Sequence, residues 1–179
     1  MPLLSGSRRA RRFFDHLAPL YDWINARIYK PEWLAQVRTA LRGRVLDVGV
    51  GTGFTTGHLG DAVGIDLSGE MLRRARYRGH LIRANFVRPP FREASFDTVV
   101  LAGSFYYLPD PQEGMATAAR LLQPAGTVVI LSPATSVLAP FVPIYSREEY
   151  AAFFVRAGLR LASYERLSWA ACLVIGTKA

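Results

Sequence analysis

One cysteine in 179 residues leaves no partner for an internal disulfide and no set of thiols for a metal cluster. That residue, Cys172, lies in the apolar run 170–175, where a buried and inert thiol is expected. Histidine is scarce as well: His16, His58 and His80 stand at no spacing from carboxylates that suits a metal, so none is expected. No apolar run approaches the roughly 20 residues of a membrane span. The N-terminus has arginines but no apolar stretch leading to a cleavage site, which argues against a signal peptide and for a cytoplasmic protein. Repeats and low-complexity tracts are missing too, and the length suits a single domain.

Half the residues are hydrophobic and 20% are charged, as in compact globular chains. The net charge of +8 is unevenly placed. Residues 1–44 carry Arg8, Arg9, Arg11, Arg12, Arg27, Lys30, Arg38, Arg42 and Arg44 against Asp15, Asp22 and Glu32. Trp23, Ile24, Ile28, Tyr29 and Trp33 share that stretch. It reads either as a solvated basic face or as a surface for an anionic membrane. Nucleic acid is the weaker expectation.

Strand and helix signals alternate, which predicts an α/β fold with a mostly parallel sheet. Helical patterns cover 8–14 and 20–41, interrupted by Pro19 and Pro31. Strands are expected at 44–48, 62–66, 80–84, 96–102 and 127–132. A short helix is expected from Phe54 to before Gly60, and another opens at Ser68 and Glu70 and closes at Gly79. Asp110 and Pro111 start a helix that ends in the turn 123–126. Ser146 and Glu149 form a capping box for a helix ending at Gly158. The apolar segments 160–166 and 170–176 predict a terminal hairpin.

The chemistry concentrates at the first two strands. Val45-Leu46-Asp47-Val48 runs into Gly49-Val50-Gly51-Thr52-Gly53, and the second strand ends on Asp66. Glycines at a strand tip let the backbone approach a ligand where a Cβ would collide. Asp66 follows Gly49 at close to the ~20 residues typical of a carboxylate that holds two ribose hydroxyls. The pair points to an adenosine-containing cofactor. A nicotinamide dinucleotide would call for the longer Gly-x-Gly-x-x-Gly spacing, which is not there.

In that order, the strands and motifs resemble the class I S-adenosylmethionine-dependent methyltransferases over nearly the whole chain. Residues 45–53 are similar to that family's first motif, 91–100 to its approach to strand four, and 121–127 to its turn before strand five. The opening Arg12-Phe13-Phe14-Asp15-His16-Leu17-Ala18-Pro19-Leu20-Tyr21-Asp22-Trp23-Ile24-Asn25 resembles the ubiquinone/menaquinone-biosynthesis C-methyltransferases and bacterial phospholipid N-methyltransferases. The resemblance implies a Rossmann-like seven-stranded, mostly parallel sheet with helices on both faces and a terminal antiparallel hairpin. It implies an N-terminal helical cap over 1–43 and a cofactor-binding core over 44–179. It also implies S-adenosylmethionine as cofactor and a small-molecule or lipid-like acceptor, a quinone precursor or phospholipid head group.

On the same grounds Gly49, Gly51 and Gly53 receive the methionine end of the cofactor and Asp66 its ribose. Asp47 orients the loop or a water, or serves only as a local hydrogen-bond partner. Leu67 and Met71 pack on the adenine or belong to the core. Asn85 stands where the family usually has an aspartate for the adenine amino group, and Phe86 would offer its backbone N–H to the ring. Tyr21 would approach the methionine carboxylate. Ala102 and Ser104, at the end of strand four, complete the cofactor side, while Tyr106 and Tyr107 face the substrate. His16 is the candidate base, with a structural role as its alternative.

Two other readings stay open. An RNA methyltransferase would have an added RNA-binding module or the Asn/Asp-Pro-Pro-Tyr/Phe signature after strand four, and neither is in the sequence. A non-catalytic cofactor-binding partner would suit the short loop with Pro133, Pro140 and Pro143, which leaves little substrate cap. A membrane, or a second subunit in a homodimer, would otherwise complete the pocket.

Overall fold

The computed structural model describes residues 13–16 and 21–179, leaving aside the side chains of Tyr21, Asp22, Ile24 and Ala26. The expected helix over 8–14 therefore lies mostly outside the described residues, as do Arg8, Arg9, Arg11 and Arg12. Residues 13–16 are helical, followed by α1 (Tyr21–Ile28) and α2 (Pro31–Ala40), with Pro31 at the first position of α2.

Seven strands form one sheet: β1 (Val45–Val48), β2 (Val63–Asp66), β3 (His80–Arg83), β4 (Phe96–Ala102), β5 (Leu122–Pro133), β6 (Leu159–Arg166) and β7 (Ala171–Lys178). Their spatial order is β3-β2-β1-β4-β5-β7-β6. The first five are parallel, and β7 pairs antiparallel with both β5 and β6. The chain leaves β1 toward β3 and then returns to β4 on the other side. A crevice consequently opens beyond the carboxyl ends of β1 and β4, where ligands of open α/β sheets bind.

Strand alternation separates two apolar layers. Leu46, Val48, Val99, Leu101, Val128 and Ile130 face one side. There they meet Met115, Ala118 and Leu121 of α4 (Pro111–Leu121) and Tyr150 and Phe154 of α5 (Arg147–Arg156). Val45, Val100, Val129 and Leu131 face the other, against Trp33, Leu34 and Val37 of α2. Helix starts follow the expected local rules. Asp110 accepts from Gln112 N and Glu113 N, and Ser146 and Glu149 close a full capping box.

Three local expectations differ from the structure. No regular helix follows Gly53; residues 51–58 form a series of turns. The helix after Ser68, α3 (Gly69–Arg74), stops well before Gly79. Both differences have one cause. Arg76 N donates to Thr52 O (3.0 Å) and Arg78 N to Gly57 O (2.9 Å), while Arg38 donates to Thr55 O (3.1 Å) and Phe54 O (2.9 Å). Carbonyls that a helix would use internally are taken by other segments. The third difference is β5, which starts at Leu122 and carries the expected 123–126 turn as an irregularity with Ala125 at φ 60°.

Candidate active site

The glycine turn is built by β1 and held by its neighbours. Gly49 N and Val50 N both donate to Ile65 O of β2, at 2.8 and 3.0 Å. Gly49 has φ 68° and Gly51 φ 55°, a region that favours glycine. A Cβ on Gly49 would lie 2.6 Å from Ser104 Cβ, so the ends of β1 and β4 touch here. Ser104 Oγ fastens that contact by donating to Val48 O (2.5 Å).

Asp66 closes the next side. Its Oδ2 accepts from Gly51 N (2.9 Å) and its Oδ1 from Ser68 N (2.8 Å). Each oxygen keeps a lone pair for a ligand. Burial raises its pKa, opposed by the backbone N–H groups of Ser68, Gly51 and Leu67. Ser68 Oγ donates to Asp15 Oδ1 (2.5 Å), tying the 13–16 turn to the rim.

Gly49, Gly51, Asp66, Leu67, Met71, Asn85, Phe86 and Ser104 come together in one cleft of about 730 Å³, counting its open mouth. Met71 and Phe86 form its buried apolar end, and Asn85 Oδ1 there already accepts from Val87 N (3.2 Å). A ribose-sized carboxylate site between a bare glycine turn and an apolar slot fits S-adenosylmethionine.

Other residues singled out by sequence stand elsewhere. Asp47 is 2% exposed and does not line the cleft. It lies on the α2 side of the strand, opposite Leu46, where Thr56 Oγ1 donates to its Oδ2 (2.6 Å) and the Tyr77 hydroxyl lies 2.9 Å from Thr56. Burial pushes its pKa up to about 7 despite the Thr56 bond, with Asp66 adding to the rise. Gly53 packs against Arg76, whose carbonyl would sit 2.8 Å from an added Cβ. Ala102 borders a smaller hollow behind Gly49. His16 is exposed and lines neither the cleft nor the cavity beside it. The side chain of Tyr21 lies outside the described residues.

That second cavity was not foreseen. It encloses about 1220 Å³, counting its mouth, and shares Phe14, Gly103 and Tyr107 with the first cleft. Tyr106 and Tyr107 stand together with ring centroids 4.4 Å apart, and Phe14 meets Tyr107 edge-on at 5.2 Å. Most of the remaining wall is apolar: Ile28, Trp33, Leu131, Leu138, Phe141 and Val142. The proline-rich loop expected to leave little cap supplies one side. Tyr29, expected only within the basic aromatic stretch, and Asn25, only within the opening segment, also line the cavity. Only the docking of α1 and α2 over β4 and β5 brings them there.

Comparison with known proteins agrees with this geometry. Residues 46–130 match the Methyltransferase domain family. The ubiquinone/menaquinone biosynthesis C-methyltransferase UbiE of Geotalea daltonii is 29% identical over 166 residues, covering 80% of this chain and 71% of that protein. Demethylmenaquinone methyltransferase of Lactiplantibacillus plantarum is 28% identical over 195 residues, 87% of this chain and 82% of its own. The chloroplastic 2-methyl-6-phytyl-1,4-hydroquinone methyltransferase 2 of Oryza sativa is 33% identical over 182 residues, 87% of this chain but 51% of that one. Among solved structures, an S-adenosylmethionine-dependent methyltransferase of Thermotoga maritima superposes with TM-score 0.80 at 19% identity, covering 94% of this chain and 99% of that one. The cyclase SpnF does so at 0.83 and 15%, covering 99% and 98%. At such identities these two show the fold alone.

Proposed function

Because the chain belongs to the class I S-adenosylmethionine-dependent methyltransferases, we propose that its acceptor is a lipid-like ring, a quinone precursor, held in the apolar cavity beside Gly103. The observation that carries this reading is the shared wall. Phe14, Gly103 and Tyr107 border both the cofactor cleft and a large apolar cavity, so an acceptor there abuts the cofactor site. The names of the UbiE-type and hydroquinone methyltransferase relatives point to the same substrate class.

When bound, S-adenosylmethionine supplies a methyl group on a sulfonium already activated for in-line displacement. The protein contributes binding, alignment and dryness. Asp66 would hold the ribose, Met71 and Phe86 the adenine, and Gly49 and Gly51 give the backbone close approach. Gly103, on the shared wall, has φ 77° and admits the Tyr29 hydroxyl, on which an added Cβ would fall. The apolar walls exclude water from the acceptor. Among the described lining residues of the cavity there is no carboxylate, imidazole, lysine or arginine. A phosphate head group would find no cation there, which favours the ring over the phospholipid. RNA would be equally out of place.

The cavity mouth supports a peripheral membrane location on the cytoplasmic side, with the acceptor entering from the bilayer. Phe141 of the cavity wall is 50% exposed, Val137 of the same loop 68%, and Trp23 of the basic N-terminal segment 61%. The Arg27 guanidinium stacks 3.6 Å over the Trp23 ring. Among the described residues no helix is long and apolar enough to cross a membrane. The chain's own loop closes one side of the cavity, so the reading does not require a homodimer.

The deciding experiment supplies labelled S-adenosylmethionine with a prenylated naphthohydroquinone in micelles, phosphatidylethanolamine vesicles, or transfer RNA. Label in the naphthohydroquinone is expected; label only in the lipid or the RNA would refute the proposal. Vesicle sedimentation tests the location. Phe141→Ser should weaken binding to anionic vesicles, and equal binding by variant and parent would count against it.

A further inference from the structure

Polar groups are few in the apolar cavity: Asn25, Ser132 and the hydroxyls of Tyr29, Tyr106 and Tyr107. Asn25 of α1 is 5% exposed and borders both the cavity and the hollow behind Gly49. Its backbone carbonyl accepts from Tyr29 N (2.8 Å), which sets the two residues one helical turn apart on the same face. The Asn25 side chain lines the cavity, as does Ser132, whose Oγ is buried without a hydrogen-bond partner. Polar side chains in so apolar a cavity need a hydrogen-bond partner there, because leaving one unpaired costs free energy.

Tyr29 stands beside it. Its hydroxyl reaches Gly103, close enough that a Cβ there would collide with it, and lies 3.4 Å from the Tyr106 hydroxyl. Burial pushes the Tyr29 pKa up to about 12, so this phenol is a neutral donor rather than a base. Both residues thus line the cavity, and the Tyr29 hydroxyl stands at Gly103, which the cavity shares with the first cleft. No charged side chain among the described lining residues accompanies them.

We propose that Asn25 and Tyr29 form an anchor for one uncharged oxygen, a hydroxyl or carbonyl, on an otherwise apolar ring. The amide can donate and accept, and the phenol donates, so together they complete the hydrogen bonds of either oxygen. An ionised oxygen would enter an apolar cavity without a counter-charge, so the neutral form binds. Because Gly103 sits under the Tyr29 hydroxyl, the anchored oxygen marks the end of the ring nearest the cofactor cleft. Asn25 and Tyr29 are positioning residues that fix which ring atom meets the cleft. The inference rests on the cavity being the acceptor site.

The test uses 1-naphthol and naphthalene as probes, with the protein saturated with S-adenosylhomocysteine and Trp33 in the cavity wall as the fluorescent reporter. In the parent protein 1-naphthol should bind about 10-fold tighter than naphthalene, the worth of one or two neutral hydrogen bonds. Asn25→Leu and Tyr29→Phe should each remove most of that preference while leaving naphthalene and S-adenosylhomocysteine binding unchanged. Tyr29→Phe keeps the ring, so it tests the hydroxyl even where Asn25→Leu fails to fold. A preference that survives both substitutions overturns the anchor. So does weaker S-adenosylhomocysteine binding in Asn25→Leu, because the amide would then serve the cofactor. Equal binding of the two probes by the parent protein refutes the anchor but leaves the cavity as acceptor site. If neither probe binds while S-adenosylhomocysteine does, the acceptor site itself is refuted.

Discussion

Replacing Asp47 by asparagine should change how stability depends on pH. Asp47 is 2% exposed and receives one hydrogen bond, from Thr56 Oγ1 at 2.6 Å. Its pKa rises from 3.8 in the unfolded chain to about 7 in the fold, chiefly through burial. Below pH 4 both states hold the proton and the group contributes its full stability. Between about pH 4 and 7 the unfolded chain has released a proton that the folded protein keeps, so stability falls as pH rises. Three pKa steps correspond to about 4 kcal/mol, lost across that window and constant above it. Asp66 shifts in the same direction and adds to the slope. Asparagine retains an oxygen for the Thr56 hydroxyl but has no proton to lose. Urea unfolding of both proteins at pH 4.5, 6 and 8 reads the difference. Asp47→Asn should lie within about 1 kcal/mol of the parent at pH 4.5 and exceed it by several kcal/mol at pH 8. Parallel profiles across the three pH values would refute the claim that this carboxyl is held protonated by burial.

Asp66→Ala removes the carboxylate that faces the cleft and also frees Gly51 N and Ser68 N. Calorimetry should show S-adenosylhomocysteine binding weakened at least ~100-fold, from two hydrogen bonds to a charged group. Gly49→Ala places a Cβ 2.6 Å from Ser104 Cβ at φ 68°. The melting temperature should drop by roughly 2–8 °C and cofactor affinity by ~10-fold or more, since the strain alone is about 1–2 kcal/mol. Lys178 Nζ donates to Ala119 O and Leu122 O, both at 2.7 Å, capping the end of α4 from β7. Lys178→Met should destabilise the fold by about 1–3 kcal/mol in chemical denaturation, with cofactor affinity unchanged.

The sequence by itself determined whatever depends on near neighbours. The glycine turn and its carboxylate neighbour follow from β1 ending in glycines and β2 ending in Asp66, two strands that pair side by side. Helix starts at Asp110 and Ser146 follow from side chains reaching N–H groups two or three residues away. β4 spans the expected Phe96–Ala102, carried by the β-branched and apolar run Thr98–Ala102. The tertiary structure decided the rest. Asp47 adjoins the glycine turn in sequence, yet strand alternation turns it toward Thr56 and away from the cleft. The segment after Gly53 has helical composition, but its carbonyls are claimed by Arg38, Arg76 and Arg78. The apolar cavity is legible in the sequence only at Tyr106 and Tyr107. Its wall joins residues near 14, 29, 103, 131, 141 and 170, and no local pattern can encode a surface that exists only once α1 and α2 dock across the sheet. Short-range hydrogen bonds and strand periodicity are written in consecutive residues; a cavity is the space left between elements, and packing alone sets it.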